Sequence, residues 1–147
     1  QVAKAIAEAE AYDGPSLIIA YAHCINHGFN LANGIDQQKN AVACGHWPLY
    51  RYNPELEEQG RNPLHIDSKA PSMPFAEYAL SENRYKMLKM MNPEHAEELM
   101  AQSQNDVNKS WNFLEGRCKA LEPATPAETA PAAKKASAKK KAPAKKN

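Results

Sequence analysis

Ser16-Leu17-Ile18-Ile19-Ala20-Tyr21-Ala22 runs without a charged side chain and carries two adjacent isoleucines. Gly14 and Pro15 close whatever precedes it, since proline cannot continue a helix and glycine suits a helix C-terminus. Such a run fits a strand buried on both faces, as in the middle of a parallel sheet, better than a half-exposed alternating one. Upstream, Val2, Ala5, Ile6 and Ala9 recur at helical spacing, with Lys4, Glu8 and Glu10 turned away. They read as the last turns of an amphipathic helix. One helix and one doubly buried strand cannot make a sheet, so the strand's neighbours must come from elsewhere. The chain also begins without Met and in mid-pattern. A carboxyl-terminal piece of a much longer chain is the expectation, ahead of a separate subunit that docks on its missing half.

His23, Cys24, His27 and Gly28 follow this strand directly. In open α/β sheets chemistry sits just past the carboxyl ends of strands, so a thiol between two imidazoles there is a candidate site. Taken alone, a cysteine after a buried strand is usually an inert small hydrophobe. Cys24 with His23 and His27 offers three nearby ligands, without the paired spacings usual in zinc sites. The three cysteines, at 24, 44 and 118, form no CxxC pair. A disulfide framework is therefore not expected, and a reducing, cytoplasmic compartment is. No apolar run approaches the roughly 18 residues of a membrane span, so neither a span nor a signal peptide is expected.

Farther along, Phe29 to Asp36 has loop composition. Asp36 suits the cap of a short helix, Gln37 to Cys44, stopped by Gly45. Trp47 to Tyr52 is aromatic and β-prone, and Leu64 to Ile66 is a second short extended piece across the turn-rich Asn53–Asn62 stretch. Arg51, between two tyrosines, suits a carboxylate or phosphate, most often within a salt bridge. Phe75, Tyr78, Ala79, Tyr85, Leu88 and Met91 follow helical spacing, with the phase loose around Ser81. Asn92-Pro93-Glu94 is a helix restart, with cap, first-turn proline and acid in order. From there an apolar face continues through Ala96, Val107, Trp111 and Cys118 to Leu121. The methionines at 87, 90, 91 and 100, like Cys44 and Cys118, read as packing residues.

Charge divides the chain. The formal net charge is +1, yet Pro123 to Asn147 holds seven lysines against Glu128 alone. That tail has no large apolar residue and cannot bury enough surface to offset chain entropy, so it is expected to be disordered. With 11 prolines as well, the foldable part shrinks to about 120 residues. The divisions expected are 1–52 (closing helix, strand and loop), 53–74 (extended arm), 75–121 (helices) and 122–147 (tail).

Several consecutive stretches carry a resemblance. Glu8 to Tyr12, the Gly14–Ile19 segment, Cys24-Ile25-Asn26-His27-Gly28, Gly45 to Pro54, and Asn62-Pro63 through Lys69 together resemble, in order, the C-terminal part of pyruvate:ferredoxin (flavodoxin) oxidoreductase. The likeness covers roughly residues 1 to 120 and stops before the tail, and several motifs in register are far more specific than one. It implies an α/β fold: the last piece of a thiamine-diphosphate-binding parallel-sheet domain, then an arm, helices and a basic tail. It implies an enzyme that oxidatively decarboxylates pyruvate to acetyl-CoA and CO2 and passes electrons through 4Fe-4S clusters to ferredoxin or flavodoxin. Cys24 is then the distant fourth thiolate of the cluster nearest the thiamine diphosphate. Four thiolates are needed, so this chain alone cannot hold that cluster and is expected to be inactive by itself. His27 matches the motif and would order the loop or donate a hydrogen bond near the cluster. Asn26 and Gly28 would shape the turn, Gly28 by tolerating positive φ. His23 departs from the family pattern and is given no ligand role. Thiamine diphosphate with Mg2+, and CoA as co-substrate, belong mainly to the missing part. The partners implied are that remainder, a second subunit in a homodimer, and the electron acceptor.

Two other readings stand beside this one. A stand-alone Cys/His module would carry stoichiometric zinc or iron. Lys134-Lys135, Lys139-Lys140-Lys141 and Lys145-Lys146 could bind nucleic acid through counterion release, in a salt-sensitive way and without base stacking. A solvated, solubilising extension is the plainer account of the same lysines.

Overall fold

The computed structural model describes residues 1–123. The lysine clusters and the greater part of the expected disordered tail therefore lie outside the described residues. Six helices and one two-stranded sheet occur within them: α1 (Val2–Ala11), α2 (Gly34–Ala43), β1 (Tyr50–Tyr52), α3 (Glu55–Glu58), β2 (Leu64–Ile66), α4 (Phe75–Ala79), α5 (Asn83–Met91) and α6 (Pro93–Ala120). Two single 3-10 turns, Ile25–His27 and Leu31–Asn33, precede α2. The mixed helix-and-sheet character is as expected. No helix among the described residues is long and apolar enough to cross a membrane.

The core is built where α2, α4 and α6 meet. Ala41 and Cys44 from the end of α2, Phe75, Tyr78 and Ala79 from α4, and Val107 from α6 form one buried cluster. Tyr21, Trp47, Tyr85 and Met100 pack on its rim. Each large side chain removed from water here contributes about 1.5–3 kcal/mol, so these few residues carry much of the fold. Cys44 is fully buried and its thiol donates to the Ala41 carbonyl at 3.4 Å. Burial pushes that thiol's pKa up, so it is a packing group. Cys118 is half-buried on α6, with Sγ 3.5 Å from the Leu64 carbonyl oxygen.

Helix α2 starts earlier than its sequence suggests, because the 3-10 turn at Leu31–Asn33 runs straight into it at Gly34. Asp36 is consequently in the first turn, where it still complements the helix dipole, and is not the cap. The stop is as expected: Gly45 sits at φ +78, and its N–H bonds the Val42 carbonyl at 3.0 Å. A Cβ there would come 2.6 Å from Pro71 Cγ and 3.0 Å from Val107 Cγ1. Glycine is required by both backbone and space.

Strands β1 and β2 pair antiparallel, with Arg51 opposite His65. Beside them Arg51 binds Asp67 through Nε and Nη2, both at 2.7 Å, and Glu8 of α1 through Nη1. One guanidinium thus ties the first helix to the hairpin.

One expectation is not met within the described residues, and a second is corrected. Ser16–Ala22 joins no strand ladder among the described residues, and Leu17 and Ile19 are 85% and 68% exposed. The described sheet has three-residue strands that pair with each other, so the segment finds no sheet to enter. Of the four methionines read as packing, Met100 packs on the core, but Met87, Met90 and Met91 are exposed. On α5 it is Tyr85 and Leu88 that are drawn partly inward.

Candidate functional site

Cys24 stands at the N-cap of the 3-10 turn Ile25–His27, in extended backbone. Its carbonyl accepts from the His27 N–H at 3.0 Å, and the Gly28 N–H bonds the Ile25 carbonyl at 3.1 Å. Gly28 then reverses the chain at φ +69, a left-handed conformation that side chains with a Cβ disfavour. Its carbonyl accepts from the Asn83 N–H at 2.8 Å, and an added Cβ would lie 3.1 Å from the Asn83 side chain. The turn is therefore sealed onto the start of α5.

The imidazole of His27 makes the second attachment. Its Nδ1 lies 2.6 Å from Oε2 of Glu82, a carboxylate only 1% exposed at the junction of α4 and α5. Glu82 Oε1 accepts from Gln37 Nε2 of α2 at 2.9 Å, and the Ser81 hydroxyl donates to Gln37 Oε1 at 2.7 Å. Tyr78 brings its hydroxyl to 3.5 Å from Glu82 Oε1 and to 2.7 Å from that of Tyr21. Tyr21 stacks on Trp47 with ring centroids 5.1 Å apart. The apolar segment is thus anchored at its far end although its middle lies in the open.

A carboxylate buried this deeply is costly unless hydrogen-bonded, and its neighbours respond to its charge. Tyr78 is pushed far above the ordinary phenol range, first by burial, then by the bond to Tyr21 and by Glu82. Tyr85 moves the same way, again by burial first and Glu82 second. His46, stacked on Tyr78 with centroids 5.4 Å apart, is pushed down by burial, against the opposing pull of Glu82. His23 packs edge-on against Phe29, and its Nδ1 is buried with no hydrogen-bond partner among the described residues.

Of the four site residues expected from sequence, His27 and Gly28 are gripped by the fold, whereas Cys24 and Asn26 are exposed. The Cys24 thiol is free. Cys44 and Cys118 are held elsewhere, and no group of three or more His, Cys, Asp or Glu among the described residues is placed to hold a metal ion. A single exposed, uncommitted thiol fits one ligand position of an iron–sulfur cluster whose other thiolates come from outside these residues. Glu82 and Gln37 were not read from the sequence. A lone Glu in a stretch of loose helical phase carries no sign of burial, and its partners His27 and Gln37 lie 55 and 45 residues away.

No family model matches the chain. It is 54% identical over 112 residues to the pyruvate-flavodoxin oxidoreductase of Trichormus variabilis, covering 76% of this chain and 9% of that protein. It is 52% identical over 107 residues to the pyruvate:ferredoxin oxidoreductase of Moorella thermoacetica, 73% of this chain and 9% of that one. Against the mitochondrial pyruvate dehydrogenase (NADP+) of Euglena gracilis the identity is 42% over 131 residues, 84% of this chain and 7% of the other. The chain thus spans a tenth or less of the length of these relatives.

Proposed function

From its homology to a segment of the pyruvate-flavodoxin and pyruvate:ferredoxin oxidoreductases, we propose that this chain is one part of such an enzyme and supplies a thiolate ligand from Cys24. The reaction converts pyruvate and CoA to acetyl-CoA and CO2 and releases two electrons and one proton. A 4Fe-4S cluster, when bound, accepts and passes on single electrons, here toward ferredoxin or flavodoxin. Thiamine diphosphate, Mg2+ and CoA are assigned to the remainder of the enzyme, which we take to be a homodimer, and no residue of this chain is assigned to them.

Within that enzyme the residues here present and orient. Cys24 offers an exposed thiol from a turn that is closed by its own backbone bonds and fixed to α5 at its Gly28 end. His27 holds the turn in place through the bond of its Nδ1 to Glu82. Gly28 permits the reversal. The observation that carries the reading is the agreement of over half the aligned residues with a named oxidoreductase, together with a free, outward thiol on the gripped turn.

Cys24→Ser in the complete enzyme, purified without oxygen, tests it. The expected result is loss or alteration of one cluster, read as lower iron content and a changed EPR spectrum, with thiamine diphosphate binding retained. Iron content and EPR identical to those of the parent enzyme would remove Cys24 from the site.

A further inference from the structure

We propose that Glu82 is a positioning residue that sets the orientation and hydrogen bonding of His27 beside Cys24, and through it tunes the cluster that Cys24 serves; this rests on the reading of Cys24 as a ligand. The argument is one of geometry. Glu82 and Asn83 are consecutive, and they hold the two adjacent residues, His27 and Gly28, that close the same short turn. The Asn83 N–H takes the Gly28 carbonyl at 2.8 Å, and the Glu82 carboxylate takes His27 Nδ1 at 2.6 Å. The carboxylate is itself held from behind. Gln37 Nε2 donates to Oε1, and Gln37 is fixed in turn by the Ser81 hydroxyl. With Oε1 so engaged, Oε2 faces His27, and an ionised carboxylate there accepts its hydrogen bond from an Nδ1–H. The other nitrogen, Nε2, takes no part in that bond, on a ring that is 27% exposed.

Packing alone does not account for an acid here. An apolar or amide side chain would fill the α4–α5 junction without the desolvation that a carboxylate brings. What the acid adds is a strong acceptor that fixes the tautomer and tilt of a histidine three residues from the thiol. Groups that orient the immediate surroundings of a metal centre commonly set its properties.

The test is Glu82→Gln in the complete enzyme, with anaerobic iron analysis and EPR-monitored redox titration of each cluster. Full iron content with a shifted midpoint potential for one cluster is expected. That shift should vanish when Glu82→Gln is made in a His27→Gln background. An unshifted potential in E82Q overturns the proposal. So does a shift that persists undiminished in the H27Q background, because Glu82 would then act as a distant charge. Lost iron in E82Q with full iron and an unshifted potential in H27Q also overturns it, by showing a role in folding alone. Should E82Q not accumulate, H27Q by itself must shift the potential, and its failure to do so is equally fatal. Cys24→Ser, run alongside, separates the two readings. Unchanged iron in C24S removes the ligand assignment and this proposal with it, whereas cluster loss in C24S with an unmoved E82Q overturns the positioning role alone.

Discussion

Arg51 commits all three nitrogens of one planar group to acids, Nε and Nη2 to Asp67 and Nη1 to both carboxylate oxygens of Glu8. The guanidinium is held protonated by these partners, and Asp67 is held down to about 2, chiefly by its bonds to Arg51 and against the opposing effect of burial. A carboxylate with a folded pKa below its unfolded value contributes stability above the unfolded pKa and loses it as pH falls through the folded one. The contribution of Asp67 to denaturant midpoints, followed by the fluorescence of Trp47 and Trp111, should therefore be constant near neutrality and be lost between about pH 4 and pH 2. Asp67→Asn should lower the neutral-pH stability by about 1–2 kcal/mol, allowing for solvent screening, and flatten the acid limb. An acid limb as steep in Asp67→Asn as in the parent would count against this pair. That Arg51 seeks an acid is legible from its place between two tyrosines. Which acid it finds is not, because Glu8 lies 43 residues away and Asp67 is reached only by closing the hairpin. The same holds at the candidate site, where the Cys24–Gly28 turn is local and visible while the grip of Glu82 is not.

Helix boundaries follow local chemistry where the chemistry is itself local. Asn92 Oδ1 accepts the His95 N–H at 3.2 Å, Pro93 takes the first helical position and Glu94 the first turn, so α6 begins where the sequence says it should. Replacing Asn92 by Ala should cost about 1 kcal/mol, seen as a lower Tm with unchanged helical circular dichroism at room temperature. An unaltered Tm would mean that packing against α4 and α5 alone fixes the start. The loose phase at Ser81 becomes a true break between α4 and α5, and that break creates the niche for Glu82. Elements that depend on remote partners are harder to read. Asp36 has the right chemistry for a cap but is displaced into the first turn by the preceding 3-10 turn. The apolar run at Ser16–Ala22 names a strand, yet a strand exists only where another strand pairs with it.

Across the whole molecule, exposed apolar side chains gather toward the amino end. Val2, Leu17, Ile19, Ile25, Leu31 and Ile35 are all open to solvent, while the buried cluster is drawn from residues 41 onward. The described residues thus draw their core from residue 41 onward and leave these apolar side chains uncovered, as suits a piece covering a tenth or less of its relatives. In the complete enzyme the amides of Leu17 to Ile19 should exchange slowly with deuterium, since a neighbouring strand would hold them. Rapid exchange there, with the core amides protected, would contradict burial of this segment in the assembled protein. The open stretch also bears on what happens to the piece alone. A run of leucine and isoleucine with free hydrogen-bonding edges and no charge between Asp13 and His23 is a template that another copy of itself can match. Separated from its complement, the chain would answer its missing partner with its own twin.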